Sequence, residues 1–157
     1  MNRSIRAPLA FGLCLLTTTL SAAEALRISG AWVREGPPNA TVLAGYMRIE
    51  NRTASEAIVV SADSPQFQRV EIHRTEVQDG IARMLPQEHL TIPAGAVLEL
   101  QPGGLHLMLM QPAQWLQSGA QVEIELRLEG GGRQQVAAEV RPAANSSGTG
   151  HSPHQHH

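Results

Sequence analysis

The chain reads as an all-β domain folded as a β-sandwich or Greek-key barrel, and three observations predict it. Apolar residues alternate with polar ones in short runs, as in RVEIHRTEV and QVEIELRLEG, which is the period of a half-buried strand. Gly, Pro, Asn and Asp punctuate those runs every eight to twelve positions, roughly the spacing of a sandwich. No window sustains the 3.6-residue period that an amphipathic helix needs. About nine short strands result, enough to close around one core.

Taken in order, LRISGAWVRE is a first strand with an irregularity at Gly30, and GPPNAT is a loop. VLAGYMRIEN is a second strand, stopped by Asn51-Arg52-Thr53, and AIVVSAD a short third one. After a bend at SPQF, RVEIHRTEV runs to Asp79-Gly80, a two-residue hairpin signal, and IARMLP returns. LTIPAG, VLELQPGG, LHLMLMQP, QVEIELRLEG and RQQVAAEVR complete the set, and QPAQWLQSGA has room for one helical turn.

Outside this region the composition changes. Residues 1–23 read as a secretory signal peptide: Arg3 and Arg6 form a basic start, AFGLCLLTTTL is an apolar run too short to span a bilayer, and small residues offer cleavage after Ala23 or Ala25. The expected mature domain is 24–141, exported to the periplasm with no membrane insertion. The tail, 142–157, is small, polar and unpatterned, the composition of a disordered segment.

Composition excludes several functions. All 12 basic residues are arginines, scattered rather than clustered, and aromatics make up 3%, so the basic, stacking surface required for nucleic acid is lacking. The one cysteine, Cys14, lies in the apolar run with Gly12-Leu13 before it, a poor context for lipid attachment. The mature chain then has neither disulfides nor thiolate ligands. No serine motif or paired-carboxylate signature points to catalysis, so the protein is not expected to be an enzyme.

What stands out is a donor set at fixed spacing. His73, Met84, His106 and Met108 form H-x10-M-x21-H-x-M. If Asp79-Gly80 is a primed two-residue turn, Thr75 faces Met84, and His73 shares their face of the sheet, diagonal to Met84 at roughly 7–8 Å. In LHLMLM, three leucines fall on one face and His106, Met108 and Met110 on the other. The Pro102-Gly103-Gly104 turn puts the second pair at a strand end, where a shallow site is expected. Met110 is available there as an accessory ligand. A lone strand Met is usually core packing and a lone His usually inert; the pairing on shared faces argues against that here. Two imidazoles and two thioethers suit Cu(I), because methionine sulfur is neutral and polarizable whereas structural zinc favours thiolate and imidazole.

With those residues in view, the chain resembles the periplasmic copper chaperones called PCu(A)C, whose defining pattern is this spacing. AWVREGPPNATVLAGYMRIEN, RVEIH and LTIPAGAVLELQPGGLHLMLM extend the likeness over about residues 26–141. The resemblance implies a cupredoxin-like β-sandwich binding one Cu(I) through His73, Met84, His106 and Met108 near the surface. It also implies delivery of copper toward the CuA centre of cytochrome c oxidase, alone or with a Sco-type thiol protein. Members often carry Met after the first His, where this chain has Arg74. The tail histidines His151, His154, His156 and His157 resemble extensions that look like a second site, here for Cu(II). His89 is expected to be a plain surface residue.

Three other readings compete. A blue-copper electron carrier needs a cysteine ligand. A copper oxidative enzyme with an N-terminal histidine ligand does not fit a mature chain starting at Glu24 or Leu26. Copper storage or scavenging, or a β-sandwich scaffold with incidental His and Met, remains the alternative.

Overall fold

The computed structural model describes residues 26–142, so the signal segment, Cys14 and the four tail histidines lie outside the described residues. Ten strands form: β1 (Leu26–Arg34), β2 (Val42–Asn51), β3 (Ala57–Asp63), β4 (Phe67–Gln78), β5 (Ile81–Gln87), β6 (Leu90–Ile92), β7 (Val97–Leu100), β8 (Leu105–Pro112), β9 (Gln121–Leu128) and β10 (Arg133–Arg141). They make one sheet in the order β5-β4-β8-β2-β1-β10-β9-β3-β6, with β7 joined to β2. The path is open, β5 and β6 being its ends. It folds over on itself, because Ile72 of β4 and Leu90 and Ile92 of β6, far apart along the path, share one buried core.

Alternation explains which residues reach that core. On β8, Leu105, Leu107 and Leu109 are buried; on β9, Val122, Ile124 and Leu126; on β10, Val136, Ala138 and Val140. Each set is spaced by two, the strand period. The irregularity expected at Gly30 is a bulge: Gly30 has φ +60 and the β1–β2 register shifts between Ser29 and Trp32. An extra residue there increases local twist.

One expectation needs amendment. QPAQWLQSGA holds no helical turn, since Leu116 sinks into the core from an irregular connection. Among the described residues the helical segment is a 3₁₀ turn at Glu129–Gly131, where Gly130 takes φ +81 between β9 and β10. The alternation also left pairing order open: β1 lies parallel to β10, Val33 beside Val140, while its other neighbour β2 is antiparallel.

One polar residue is part of the frame. Asn51 is fully buried, and its side-chain amide donates to the Ile92 and Ser55 carbonyls at 2.9 and 2.8 Å. Its side-chain oxygen accepts from the Thr53 amide and hydroxyl. The end of β2 is thereby tied to β6. Removing a partner here strands buried groups, which costs about 1–3 kcal/mol.

Candidate metal centre

The hairpin sets the first half of the site. Asp79 and Gly80 both have positive φ, +53 and +76, the conformation of a type I′ turn. Gln78 pairs with Ile81 and Thr75 with Met84, the register that Asp79-Gly80 predicts. Strand β4 lies between β5 and β8, and on its other side His73 is directly opposite His106 and Glu71 opposite Met108. Because facing residues in a ladder project to the same side, His73, Met84, His106 and Met108 share one face. It is the face away from the leucine core. The structure thus brings the four sequence-predicted donors onto adjacent strands.

The two imidazoles are close, with ring centroids 6.1 Å apart and planes inclined by 42°. A metal sits about 2 Å from a ligating nitrogen. Two rings bound to one ion therefore have centroids about 5–6 Å apart, from a tetrahedral to a linear arrangement, so this spacing is at the wide end for a shared ion.

Exposure departs from the expectation of a shallow, surface-facing set. His73 is 8% and His106 4% exposed, whereas Met84 is 61% exposed and Met108 half-buried. The reason is strand position. His73 is flanked across the strands by Pro86 and His106, and continuing the β2–β8 register by one residue sets Tyr46 beside His106. Met84 lies on β5, the edge strand, with no further strand beyond it among the described residues.

Met84, His106 and Met108 line an open depression of about 410 Å³ with Arg34, Pro37 and Ala44. Arg34 also lies over the Tyr46 ring, 5.8 Å from its centroid, and Tyr46 packs on Trp32 at 4.6 Å. Burial pushes the Tyr46 hydroxyl above its ordinary pKa, and the nearby Arg34 partly offsets this. This Arg34–Tyr46–Trp32 wall was missed in the sequence; the cross-strand pairing of Trp32 with Tyr46 depends on the bulge at Gly30.

Each imidazole is oriented by one hydrogen bond. His106 Nδ1 lies 3.0 Å from the Gly104 carbonyl oxygen; a carbonyl only accepts, so Nδ1 carries the proton and Nε2 is free. His73 Nε2 lies 2.8 Å from Glu71 Oε2, and its Nδ1 is buried without a hydrogen-bond partner among the described residues. The Glu71 carboxyl is held below its ordinary pKa, first by that hydrogen bond and further by the nearby charge of Arg69, with burial acting the other way.

Met110 shares the face, but its sulfur accepts from Arg69 Nη2 at 3.1 Å. It lines an adjoining depression with Thr41, Gln68 and Gln111 that contains neither histidine. His89 is exposed in the turn after β5. Among the described residues, no three His, Cys, Asp or Glu are grouped to hold a metal. A metal held on this face would therefore draw on the thioethers.

Comparison with known proteins follows the same outline. The family model described as "Putative lipoprotein LpqE-like" matches residues 26–140. The "Putative lipoprotein Lxx21020" of Leifsonia xyli subsp. xyli (strain CTCB07) is 32% identical over 120 residues, 76% of this chain and 71% of that protein. Among solved structures, the apo form of DR1885 from Deinococcus radiodurans is 30% identical with a TM-score of 0.61, covering 92% of this chain and 98% of that one. The copper-bound PCuAC domain from PmoF2 superposes with a TM-score of 0.64 at 20% identity, over 76% of this chain and 94% of the domain, a likeness of fold.

Proposed function

We propose, on the premise that the chain belongs to the LpqE-like family, that it is an exported copper-binding protein that carries Cu(I) and passes it on. The observation that carries this reading is the facing pair His73 and His106, with Met84 and Met108 on the same side of the same three strands. The residues fit the ion. A buried, unpartnered imidazole nitrogen calls for a ligand, since an unsatisfied buried polar atom costs about 1–3 kcal/mol. Two neutral thioethers beside two imidazoles favour a soft monovalent ion over a hard divalent one. One solved relative, DR1885, is also described in a Cu(I) form, 28% identical to this chain with a TM-score of 0.53.

In this reading His73, Met84, His106 and Met108 hold one Cu(I), and the cargo goes toward the CuA centre of cytochrome c oxidase, directly or through a Sco-type thiol protein. The chain works in the periplasm after cleavage near Ala23 or Ala25, and residues 24–141 form the working domain. The tail histidines His151, His154, His156 and His157 supply a weaker Cu(II) site. The family's lipoprotein description supports a second reading of the leader, with a lipid on Cys14. Mass measurement of the exported protein separates the two: a cut chain beginning at Glu24 or Leu26, or a lipidated one beginning at Cys14.

The central test is titration of residues 24–141 with Cu(I) against a competing chelator, beside Met84→Leu and His106→Ala. One tight equivalent that both variants weaken is the expected result. Binding that never saturates, or that ignores both changes, leaves a scaffold. Tight binding without transfer to a soluble CuA domain or a Sco-type protein leaves copper storage. Repeating the titration with Cu(II), with and without 142–157, tests the tail.

A further inference from the structure

The hydrogen bonds around the two histidines differ in a way that the copper reading above does not require. At His106 the proton sits on Nδ1, engaged by Gly104, and Nε2 keeps the lone pair, on a ring that lines the depression with Met84 and Met108. At His73 the roles are reversed, because Nε2 is the nitrogen against Glu71. An ionised carboxylate only accepts hydrogen bonds, so Nε2 carries the proton and the lone pair falls on Nδ1, the buried nitrogen that has no partner. The two nitrogens lie on different sides of the ring, so this lone pair points away from Glu71.

Glu71 is itself held. Its Oε1 is 3.0 Å from Arg69 Nε while its Oε2 takes the His73 bond. Arg69 also donates to Met110, so one guanidinium fixes the carboxylate and occupies the thioether that would otherwise compete for the ion. Strand alternation places Arg69, Glu71 and His73 on one face, and the β8 partners of the first two are Met110 and Met108.

We propose that Glu71 is a positioning residue that holds His73 with Nδ1 toward the metal, so that the two histidines bind copper through different nitrogens, Nδ1 at His73 and Nε2 at His106. This rests on the copper reading and deepens it. A carboxylate bonded to the far nitrogen of a ligating imidazole fixes its tautomer and raises its basicity, and losing such a partner costs about 10–100-fold in metal affinity.

The test is long-range ¹H–¹⁵N correlation of the histidine rings, in the metal-free and Cu(I)-loaded protein, beside Glu71→Gln and Glu71→Ala. In the metal-free protein His73 should be the Nε2–H tautomer and His106 the Nδ1–H tautomer. Adding Cu(I) should shift His73 Nδ1 and His106 Nε2 and leave the two N–H groups in place. Glu71→Ala should mix the His73 tautomers and weaken Cu(I) about 10–100-fold. Glu71→Gln, whose amide oxygen can still accept, should recover most of the affinity. A His73 signal that shifts at Nε2, a Glu71→Ala protein that binds as tightly as the parent, or a Gln variant as weak as Ala overturns the proposal. A parent protein that takes up no Cu(I) at all overturns the copper reading itself, while the metal-free tautomers still report whether Glu71 orients His73.

Discussion

On the β9–β10 ladder, Val122 and Ile124 and their partners Ala138 and Val136 face inward, with Leu126 and Val140 buried beside them. Outward, Glu125 is met by Arg127, Arg133 and Gln135, and Arg127 also reaches Asp63 at 3.2 Å. On the β4–β8 ladder the inward set is Ile72 with Leu105, Leu107 and Leu109. Its outward set is Glu71, His73, His106 and Met108. Both ladders supply the same kind of core. Their outer faces differ: one is a solvated mesh of ion pairs, the other a nearly buried pair of imidazoles with sulfur on either side. Strand alternation leaves the outer face free of the folding task, and only one of these two faces has been given soft donors.

The sharpest way to break this comparison is to attack the shared part. Leu107→Ala, at a fully buried position, should lower unfolding free energy by about 2–5 kcal/mol, and Ile124→Ala should do so by a similar amount. Chemical denaturation measures both, and a large difference between them would mean the two ladders do not share one core. Next comes the site. Met84→Leu keeps side-chain volume at an exposed position, so stability should move by less than about 0.5 kcal/mol. Under the copper reading Cu(I) affinity should fall about tenfold or more, roughly 1.4 kcal/mol; unchanged competition with the chelator would remove Met84 from the site.

Gly80→Ala forces a side chain into a left-handed turn position and should cost about 1–2 kcal/mol. It should also weaken Cu(I) binding, because the turn sets Met84 against Thr75. A loss of stability with full copper affinity would show that the register does not need this turn. The smallest effect belongs to the mesh. Arg133→Ala removes an exposed contact at 3.4 Å and should change stability by about 0–1 kcal/mol, with no change in copper binding.

Much of this was legible in the residues because strand period and turn chemistry are local. The runs 42–51 and 57–63 coincide with β2 and β3, and Asp79-Gly80 dictated the hairpin register down to Thr75 and Met84. The unread parts are those that depend on non-local packing. The parallel contact of β1 with β10 joins the two ends of the domain, and no periodicity within either strand encodes it. The burial of His73 and His106 follows from their cross-strand neighbours, which spacing alone does not name. The E-x-H of Glu71 and His73 is local as well, a strand spacing that puts a carboxylate and an imidazole on one face. QPAQWLQSGA takes no helical turn because Leu116 is drawn into the core, a tertiary demand that overrides local propensity.

The edge position of Met84 bears on timing. His73 and His106 sit on interior strands, flanked by neighbours on both sides, and both are nearly buried. Met84 sits on β5, where every residue but the last is exposed, and its side chain swings without disturbing a ladder. In the copper carrier proposed above, the exposed thioether on the hairpin would be the donor freest to let go, and the buried histidines the ones that hold longest. An incoming acceptor would reach the hairpin side of the site first.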